Sequence, residues 1–178
     1  MSILATARYR PIISKMVMFR GLPRWSYKSF IFSAPIWLEG LILQESAGDP
    51  KATRYEPHQD RATRLDSPFD PDLTDHDDGM REDDKSYGLM QIMGYNLRNL
   101  TGTPRGTSMD FQWAFDPEIN ILIGTRLLRL ELDATGQNVQ VALARYNGGP
   151  SGNQKEPLRT QPYVDRIFLG ARRVSADL

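Results

Sequence analysis

The segment LILQESAGDP, residues 41–50, places a glutamate where a helix would otherwise continue its apolar face. Leu38, Leu41 and Ile42 are spaced so that they share one face of an α-helix. Glu45 follows Ile42 by three residues and Leu41 by four, so its side chain is predicted to point where the leucines point. A carboxylate on such a face calls for either a structural or a chemical reason.

Two interpretations of Glu45 remain open on its position alone. As a residue of the last helical turn it can turn outward into solvent, which is the usual state of an unpaired glutamate. If it stays on the apolar face, loss of hydration of the charged form raises its pKa and keeps it protonated near neutral pH. A protonated carboxyl is what a general acid needs in order to give a proton to a glycosidic oxygen.

The composition indicates an ordinary globular domain. The 178 residues fit one domain, and 40% hydrophobic and 25% charged residues are usual globular values. The 22 basic and 22 acidic residues cancel, so no nucleic-acid partner is expected. The absence of cysteine excludes disulfides, thiolate catalysis and cysteine-based zinc sites. The most apolar stretch, residues 30–43, is too short to span a bilayer, so no stable membrane insertion is expected.

Spacing and capping signals predict a mainly α fold. Helices are expected from near Pro35, over about residues 89–100, from Asp116–Pro117, after Asn138 and after Pro162. The helix that follows Asp116 carries a candidate apolar stripe of Ile119, Leu122, Ile123, Leu127 and Leu130. Strand-like alternation is hard to find, so at most a small β-hairpin is expected, in the 52–85 region.

The chain divides unevenly by composition. Residues 1–27 are basic and weakly periodic, and they are interpreted as an N-terminal segment that forms an extra helix or a basic arm. Residues 28–178 form the main domain, with an acidic insertion at 49–85 that is expected to be a solvated loop. The acids of this insertion do not fit a calcium loop, and His58 and His76 are too few for a zinc site. No metal and no cofactor is therefore expected.

Four segments, in this order along the chain, carry a family resemblance. They are LILQESAGDPKA from Leu41, SYGLMQIM from Ser86, ALARYNGGP from Ala142 and PYVDRIF from Pro162. Together they resemble the soluble lytic transglycosylases and goose-type lysozymes, of glycoside hydrolase family 23 type, which act on peptidoglycan. The resemblance implies a single lysozyme-like domain whose partner is the peptidoglycan glycan strand.

The resemblance places Glu45 as the catalytic acid and implies a substrate-binding role for several residues of the matched segments. Gly88 would let a sugar ring approach the backbone, and Gln91 would offer its amide to N-acetyl groups and hydroxyls. Met90 is expected to contribute only its backbone, because methionine side chains usually fill cores. The implied substrate-binding residues are Ser46, Gly88, Met90, Gln91, Tyr146, Asn147 and Tyr163.

Two tyrosines and a serine complete the expected site. Tyr146 and Asn147 stand at a helix end that can face a cleft, and Tyr146 offers a flat ring for a sugar. The family resemblance implies that the hydroxyl of Tyr163 lies near Glu45 and holds it in orientation. Ser46 is expected either to cap the helix or to bind substrate.

Three outcomes of the chemistry stay open. In a lytic transglycosylase one glutamate protonates the glycosidic oxygen and then acts as base towards the 6-hydroxyl of MurNAc, which gives a 1,6-anhydro end without water. A goose-type lysozyme uses a second acid to position water, and the candidates here are Glu56 and Asp60. A glycan-binding module that kept the fold would need no Glu45. The motif set is closest to the transglycosylases, which favours the first outcome.

The setting of the protein is predicted from weaker signals. The phrase ATRYEP, residues 52–57, is similar to a branch common among phage-type lytic enzymes. No apolar core with a small-residue cleavage site appears near the N-terminus, so no cleaved signal peptide is expected. A phage endolysin, held in the host cytoplasm before its release to the cell wall or periplasm, fits this pattern, and a bacterial wall-remodelling enzyme with an unusual export route is the alternative. A basic arm at residues 1–27 would then target the wall, and a monomer is expected.

Overall fold

The computed structural model describes residues 4–55, 83–102, 110–150, 153 and 158–178. Most of the acidic insertion falls outside these ranges. The predictions for Glu56, Asp60, His58 and His76 therefore lie outside the described residues.

Helices form the body of the molecule, as the sequence predicts. Asp116 accepts a hydrogen bond from the backbone N–H of Ile119 at 3.0 Å, and Asn138 accepts one from Val141 at 3.1 Å, so both act as the N-caps that were expected. The helices are α1 (Leu4–Ala7), α2 (Arg10–Arg20), α3 (Ala34–Ser46), α4 (Gly94–Thr101), α5 (Pro117–Ala134), α6 (Val139–Gly148) and α7 (Gln161–Ala176). None of those described is long and apolar enough to cross a membrane.

The close crossing of α3 and α7 sets the geometry of the candidate site. A Cβ atom on Gly40 of α3 would lie 2.7 Å from the backbone nitrogen of Ala171 and 2.9 Å from the carbonyl oxygen of Ile167 on α7. The two backbones can approach this closely only because Gly40 has no side chain. The approach brings the end of α3, with Glu45, beside the start of α7, with Tyr163.

Short antiparallel strands lie in two places, one of them unexpected. Strands β1 (Trp25–Tyr27) and β2 (Phe30–Phe32) form a hairpin, so the expectation that strands are confined to 52–85 was wrong. Strands β3 (Thr53–Tyr55), β4 (Lys85–Tyr87) and β5 (Ile92–Met93) form a three-stranded sheet with β4 at its centre. The helix expected from about residue 89 begins later, at Gly94, because the chain first turns and adds β5.

Helix α5 buries a different face from the one predicted. Ile119 and Leu130 of the predicted stripe are exposed, and Leu127 is half-buried. The buried face instead consists of Asn120, Ile121, Gly124, Thr125, Leu128 and Leu132. Gly124 belongs to it because Met90 packs there: an added Cβ would lie 2.4 Å from the methionine Sδ. Three small or polar residues on the core face, Asn120, Gly124 and Thr125, made the other face appear more apolar in sequence.

The N-terminal residues pack on the domain as helices α1 and α2. Thr6 donates to the buried carboxylate of Glu39 on α3 at 2.8 Å, and Arg10 donates to the same carboxylate at 2.9 Å. Arg8 donates to the backbone oxygen of Gly48 at 3.2 Å, just beyond the end of α3. These contacts hold α3 against the N-terminal helices.

Candidate active site

An open cavity of about 500 Å³ lies against the C-terminal end of α3. Glu45, Arg54, Ser86 and Gln91 line it from α3 and the three-stranded sheet. The remaining lining comes mainly from α4, α5 and α6, and it includes Tyr146 with its neighbour Asn147. Residues from three of the four matched sequence segments therefore meet in one cavity.

Glu45 lies on the cavity wall with its side chain only 5% exposed. The hydroxyl of Tyr163 donates a hydrogen bond to its Oε1 atom, and Nη2 of Arg54 lies 3.4 Å from Oε2. The interpretation of Glu45 as a solvated last-turn residue is therefore wrong, because the side chain is held against the protein on both oxygens. A largely buried carboxyl at the edge of an open cavity is placed to exchange a proton with a ligand bound there.

Two tyrosines near Glu45 are held in the neutral form. Burial raises the pKa of Tyr163 well above its usual value, and the negative charge of Glu45 raises it further. Burial and the same carboxylate also raise the pKa of Tyr146, which donates to the backbone oxygen of Met90 at 2.9 Å. Both phenols therefore keep their protons and act as fixed donors at any ordinary working pH.

Gln91 lies on the cavity wall with its amide bonded to the protein. Its nitrogen donates to the backbone oxygens of Ala52 at 3.0 Å and Gly88 at 2.9 Å, and its oxygen accepts from the hydroxyl of Ser86 at 2.7 Å. Its backbone φ of 46° is unusual for a residue with a side chain. These bonds tie the β3–β4 sheet to the turn before β5, so this amide orders the wall beside Glu45.

Gly88 and Met90 pack against the protein interior, whereas the sequence resemblance implied that they bind substrate. Gly88 has φ 72°, and an added Cβ would lie 2.3 Å from the side-chain nitrogen of Asn120. The space that its missing side chain leaves is thus filled by helix α5 and not by the cavity. Met90 is fully buried as expected, and its backbone nitrogen and oxygen are bonded to Asn120 and Tyr146.

Ser46 and Asn147 are placed differently with respect to the cavity. Ser46 accepts from the backbone of Gly48 and donates to Ile42, both at 3.2 Å, which is a helix-ending role, and it is not among the lining residues. Asn147 is exposed and lines the cavity at the end of α6. Of the two, Asn147 has the side chain that can reach a ligand.

Several lining residues were missed by sequence reasoning. Arg54 and Tyr95 lie outside the four matched segments. Arg54 falls within ATRYEP, but that similarity assigned it no role in a site. Glu131 of α5 also lines the cavity and accepts from Nε of Arg145 on α6 at 2.5 Å. Leu130 lines it beside Glu131, which explains why this leucine is exposed. A helical-wheel plot would have shown only that Leu127 and Leu130 lie on the same face of α5, because they are three residues apart.

The fold and this cavity define a lysozyme-like helical domain. Residues 33–165, which are 133 of the 178 residues, match the family model described as the transglycosylase SLT domain. The chain therefore belongs to the transglycosylase SLT domain family. The three segments of the resemblance that line the cavity lie within the matched range, and so does Tyr163 of the fourth segment, which runs past its end.

A solved structure supports the same fold. An inactive Glu-to-Gln mutant of the lytic transglycosylase Slt from Pseudomonas aeruginosa aligns with 95% of this chain at a TM-score of 0.58 and 19% sequence identity. The alignment covers 24% of that protein, so this chain spans about a quarter of its length.

Proposed function

We propose that this protein cleaves the MurNAc-β-1,4-GlcNAc bond of peptidoglycan by lytic transglycosylation, with Glu45 as general acid and then general base. The observation that carries the proposal is the placement of Glu45: its side chain is almost buried, is held by Tyr163, and borders an open cavity. Membership of the transglycosylase SLT domain family supports the reaction type.

The first step breaks the glycosidic bond. The protonated carboxyl of Glu45 gives its proton to the bridging oxygen, the bond from C1 of MurNAc to that oxygen breaks, and GlcNAc leaves with a free 4-hydroxyl. Positive charge develops on C1 and the ring oxygen. Proton transfer is required here because the leaving alkoxide would otherwise be too basic.

The second step closes a ring within the sugar. The 6-hydroxyl of the same MurNAc attacks C1, and the carboxylate of Glu45 takes the proton of that hydroxyl. The product is a 1,6-anhydro end, Glu45 is again protonated, and no water is consumed. Tyr163 remains neutral throughout, so it can hold Oε1 of Glu45 in both protonation states.

The cavity offers suitable groups for a glycan. The ring of Tyr146 and the exposed amide of Asn147 line it on α6, and Tyr95 lines it on α4. An aromatic face can pack against a sugar ring, and an amide can donate to and accept from sugar hydroxyls and N-acetyl groups. The proposed glycan runs along this cavity with the bond to be cut beside Glu45, and Gln91 holds the adjacent wall in shape.

Hydrolysis by a second acid is the alternative product route. Glu131 favours it to the extent that it is a carboxylate on the same cavity. Its Oε2 atom accepts from Nε of Arg145 at 2.5 Å, however, so that oxygen is already engaged by the protein. Substitution Glu131→Gln is therefore expected to leave the product unchanged.

Lysis and product analysis test the proposal together. Glu45→Gln should reduce clearing of purified cell walls by roughly 10³-fold, whereas Glu118→Gln, which removes an exposed acid on α5, should clear them normally. Mass spectrometry of the released muropeptides should find ends one water lighter than hydrolysed reducing ends. Equal clearing by the Glu45 variant would remove the catalytic role of Glu45, and no clearing by the native protein would leave a glycan-binding module. Hydrolysed ends would replace transglycosylation by a lysozyme reaction.

The proposed setting is that of a phage endolysin, monomeric and held in the host cytoplasm until release to the wall. The segment at residues 52–57 supports it by its similarity to phage-type lytic enzymes. Expression inside a Gram-negative host should leave culture turbidity unchanged until the inner membrane is permeabilised, and should then clear the culture. A Glu45→Gln culture that clears equally well would contradict this, and light scattering after size exclusion would test the monomer.

A further inference from the structure

Arg54 is the cation that the fold places against the proposed catalytic carboxylate. It lies in strand β3, opposite Ser86 of β4, and its Nη2 atom is 3.4 Å from Oε2 of Glu45. Its side chain is 53% exposed and lines the cavity, whereas the Glu45 side chain is 5% exposed. The pair therefore joins a buried carboxylate to a cation in contact with solvent.

We propose that Arg54 is a positioning residue that stabilises the ionised form of Glu45 and so makes the base step as accessible as the acid step. The inference rests on the proposed function. One turnover needs Glu45 first protonated and then ionised. Burial alone would favour the protonated form of Glu45 and hinder its conversion into the carboxylate that acts as base. The positive charge of Arg54 beside Oε2 offsets that bias.

Two neighbouring tyrosines and Arg145 do not supply this charge. Tyr163 from α7 and Tyr146 from α6 are neutral, since burial and the carboxylate itself raise their pKa values. Arg145, also on α6, is bonded to Glu131, which lies across the same cavity. Arg54, by contrast, carries a positive charge, and its Nη2 atom contacts Oε2 of Glu45 directly.

The role makes a specific prediction for pH dependence. An opposite charge favours the ionised carboxyl, so removing it lets Glu45 keep its proton to higher pH. The alkaline limb of the profile, where the general acid is lost, should then move upward. Because Arg54 is half exposed, its effect on the native enzyme should also weaken with salt: the Debye length falls from about 30 Å at 0.01 M to about 3 Å at 1 M.

The test compares kcat/KM against pH for the native protein, Arg54→Gln, Arg54→Lys and Lys51→Gln, on soluble peptidoglycan strands at about 0.01 M and about 1 M salt. Lys51 is a matched control, since it is exposed and precedes Arg54 by three residues. In Arg54→Gln the alkaline limb should move upward by about one pH unit. The lysine variant should stay near the native limb at low salt, and Lys51→Gln should not move it.

The outcomes separate the two proposals. A lower rate at every pH with an unmoved limb in Arg54→Gln would show a merely structural role and overturn the inference. A native protein with no Glu45-dependent cleavage would remove the proposed function and this role with it. A carbon-13 NMR titration of the Glu45 carboxyl needs no activity: its midpoint should rise in Arg54→Gln, and an unchanged midpoint would overturn the stabilising contact by itself.

Discussion

Two glutamates of helix α3, Glu39 and Glu45, have nearly the same burial but different surroundings. The side chain of Glu39 is 3% exposed and that of Glu45 is 5% exposed, and each contacts an arginine and a hydroxyl group. Glu39 faces Thr6 and Arg10 of the N-terminal helices, where protein closes around it. Glu45 faces a cavity of about 500 Å³.

The difference teaches that burial and pairing do not by themselves mark a functional carboxylate. A buried ion pair is often structural, and its removal mainly affects folding. What distinguishes Glu45 is that its carboxyl borders space for a ligand, whereas Glu39 does not line that cavity. The same helix thus carries one carboxylate for assembly and one for the proposed chemistry, about 9 Å apart along its axis.

The sharpest way to break this comparison is to neutralise each glutamate in turn. Glu45→Gln should lose roughly 10³-fold in rate with little change in melting, because the amide keeps the shape but has no proton to give. Glu39→Gln should keep the rate of the folded fraction but lose about 2 kcal/mol of stability, because Arg10 loses the buried one of its two charged partners. Wall-clearing assays and urea unfolding measure the two effects. Similar losses of both kinds in both variants would remove the distinction.

A second test acts on the glycine between the two carboxylates. Gly40→Ala places a methyl group against the backbone of α7 at 2.7 Å and 2.9 Å, so the helices must separate. We expect a loss of about 3 kcal/mol in unfolding free energy, together with reduced cleavage, since Tyr163 moves away from Glu45. The contacts of Glu39 with the N-terminal helices should persist. A variant with native melting and native cleavage would mean that α3 is not positioned by this contact.

A third test removes the donor while keeping the ring. Tyr163→Phe should lower kcat by about 10-fold and leave KM nearly unchanged, because the lost bond orients Glu45 and does not bind substrate. Steady-state kinetics on soluble glycan strands would measure both constants. A large rise in KM with a native kcat would assign the hydroxyl to substrate binding.

The smallest expected effect concerns stability at high pH. The folded pKa values of Tyr163 and Tyr146 are raised above 10.0, so the folded state holds these protons more tightly than the unfolded state. Their contribution to stability is complete below about pH 10 and is lost as pH rises towards the folded values. Unfolding free energy should fall above pH 10, and Tyr163→Phe should reduce that slope by up to about 1.4 kcal/mol per pH unit. An identical slope in the variant would contradict the burial of this phenol as the cause.

The sequence predicts those parts of the fold that local signals determine. Helices with a capping residue begin where expected, as Asp116 and Asn138 illustrate. The β1–β2 hairpin was missed because Lys28 and Ser29 occupy its turn with φ 47° and 66°, where glycine or asparagine is usual. The helix expected from residue 89 was misplaced because Gln91 also has a positive φ without being glycine.

The candidate site was predictable in its centre and not at its periphery. The motifs gave Glu45 and Tyr163, and the structure brings the two together. Arg54, Glu131 and Arg145 join the cavity through strand pairing and helix packing, which no local spacing encodes. Contacts between residues far apart in sequence can be identified only from the three-dimensional structure.

The ion pair between Arg10 and Asp177 has a practical consequence for engineering. It joins the N-terminal helices to the end of α7, which lies about 20 Å along that helix from Tyr163. A module fused after Leu178 would therefore sit well away from the cavity at Glu45. Fusions to this domain can extend from that end without obstructing the cavity.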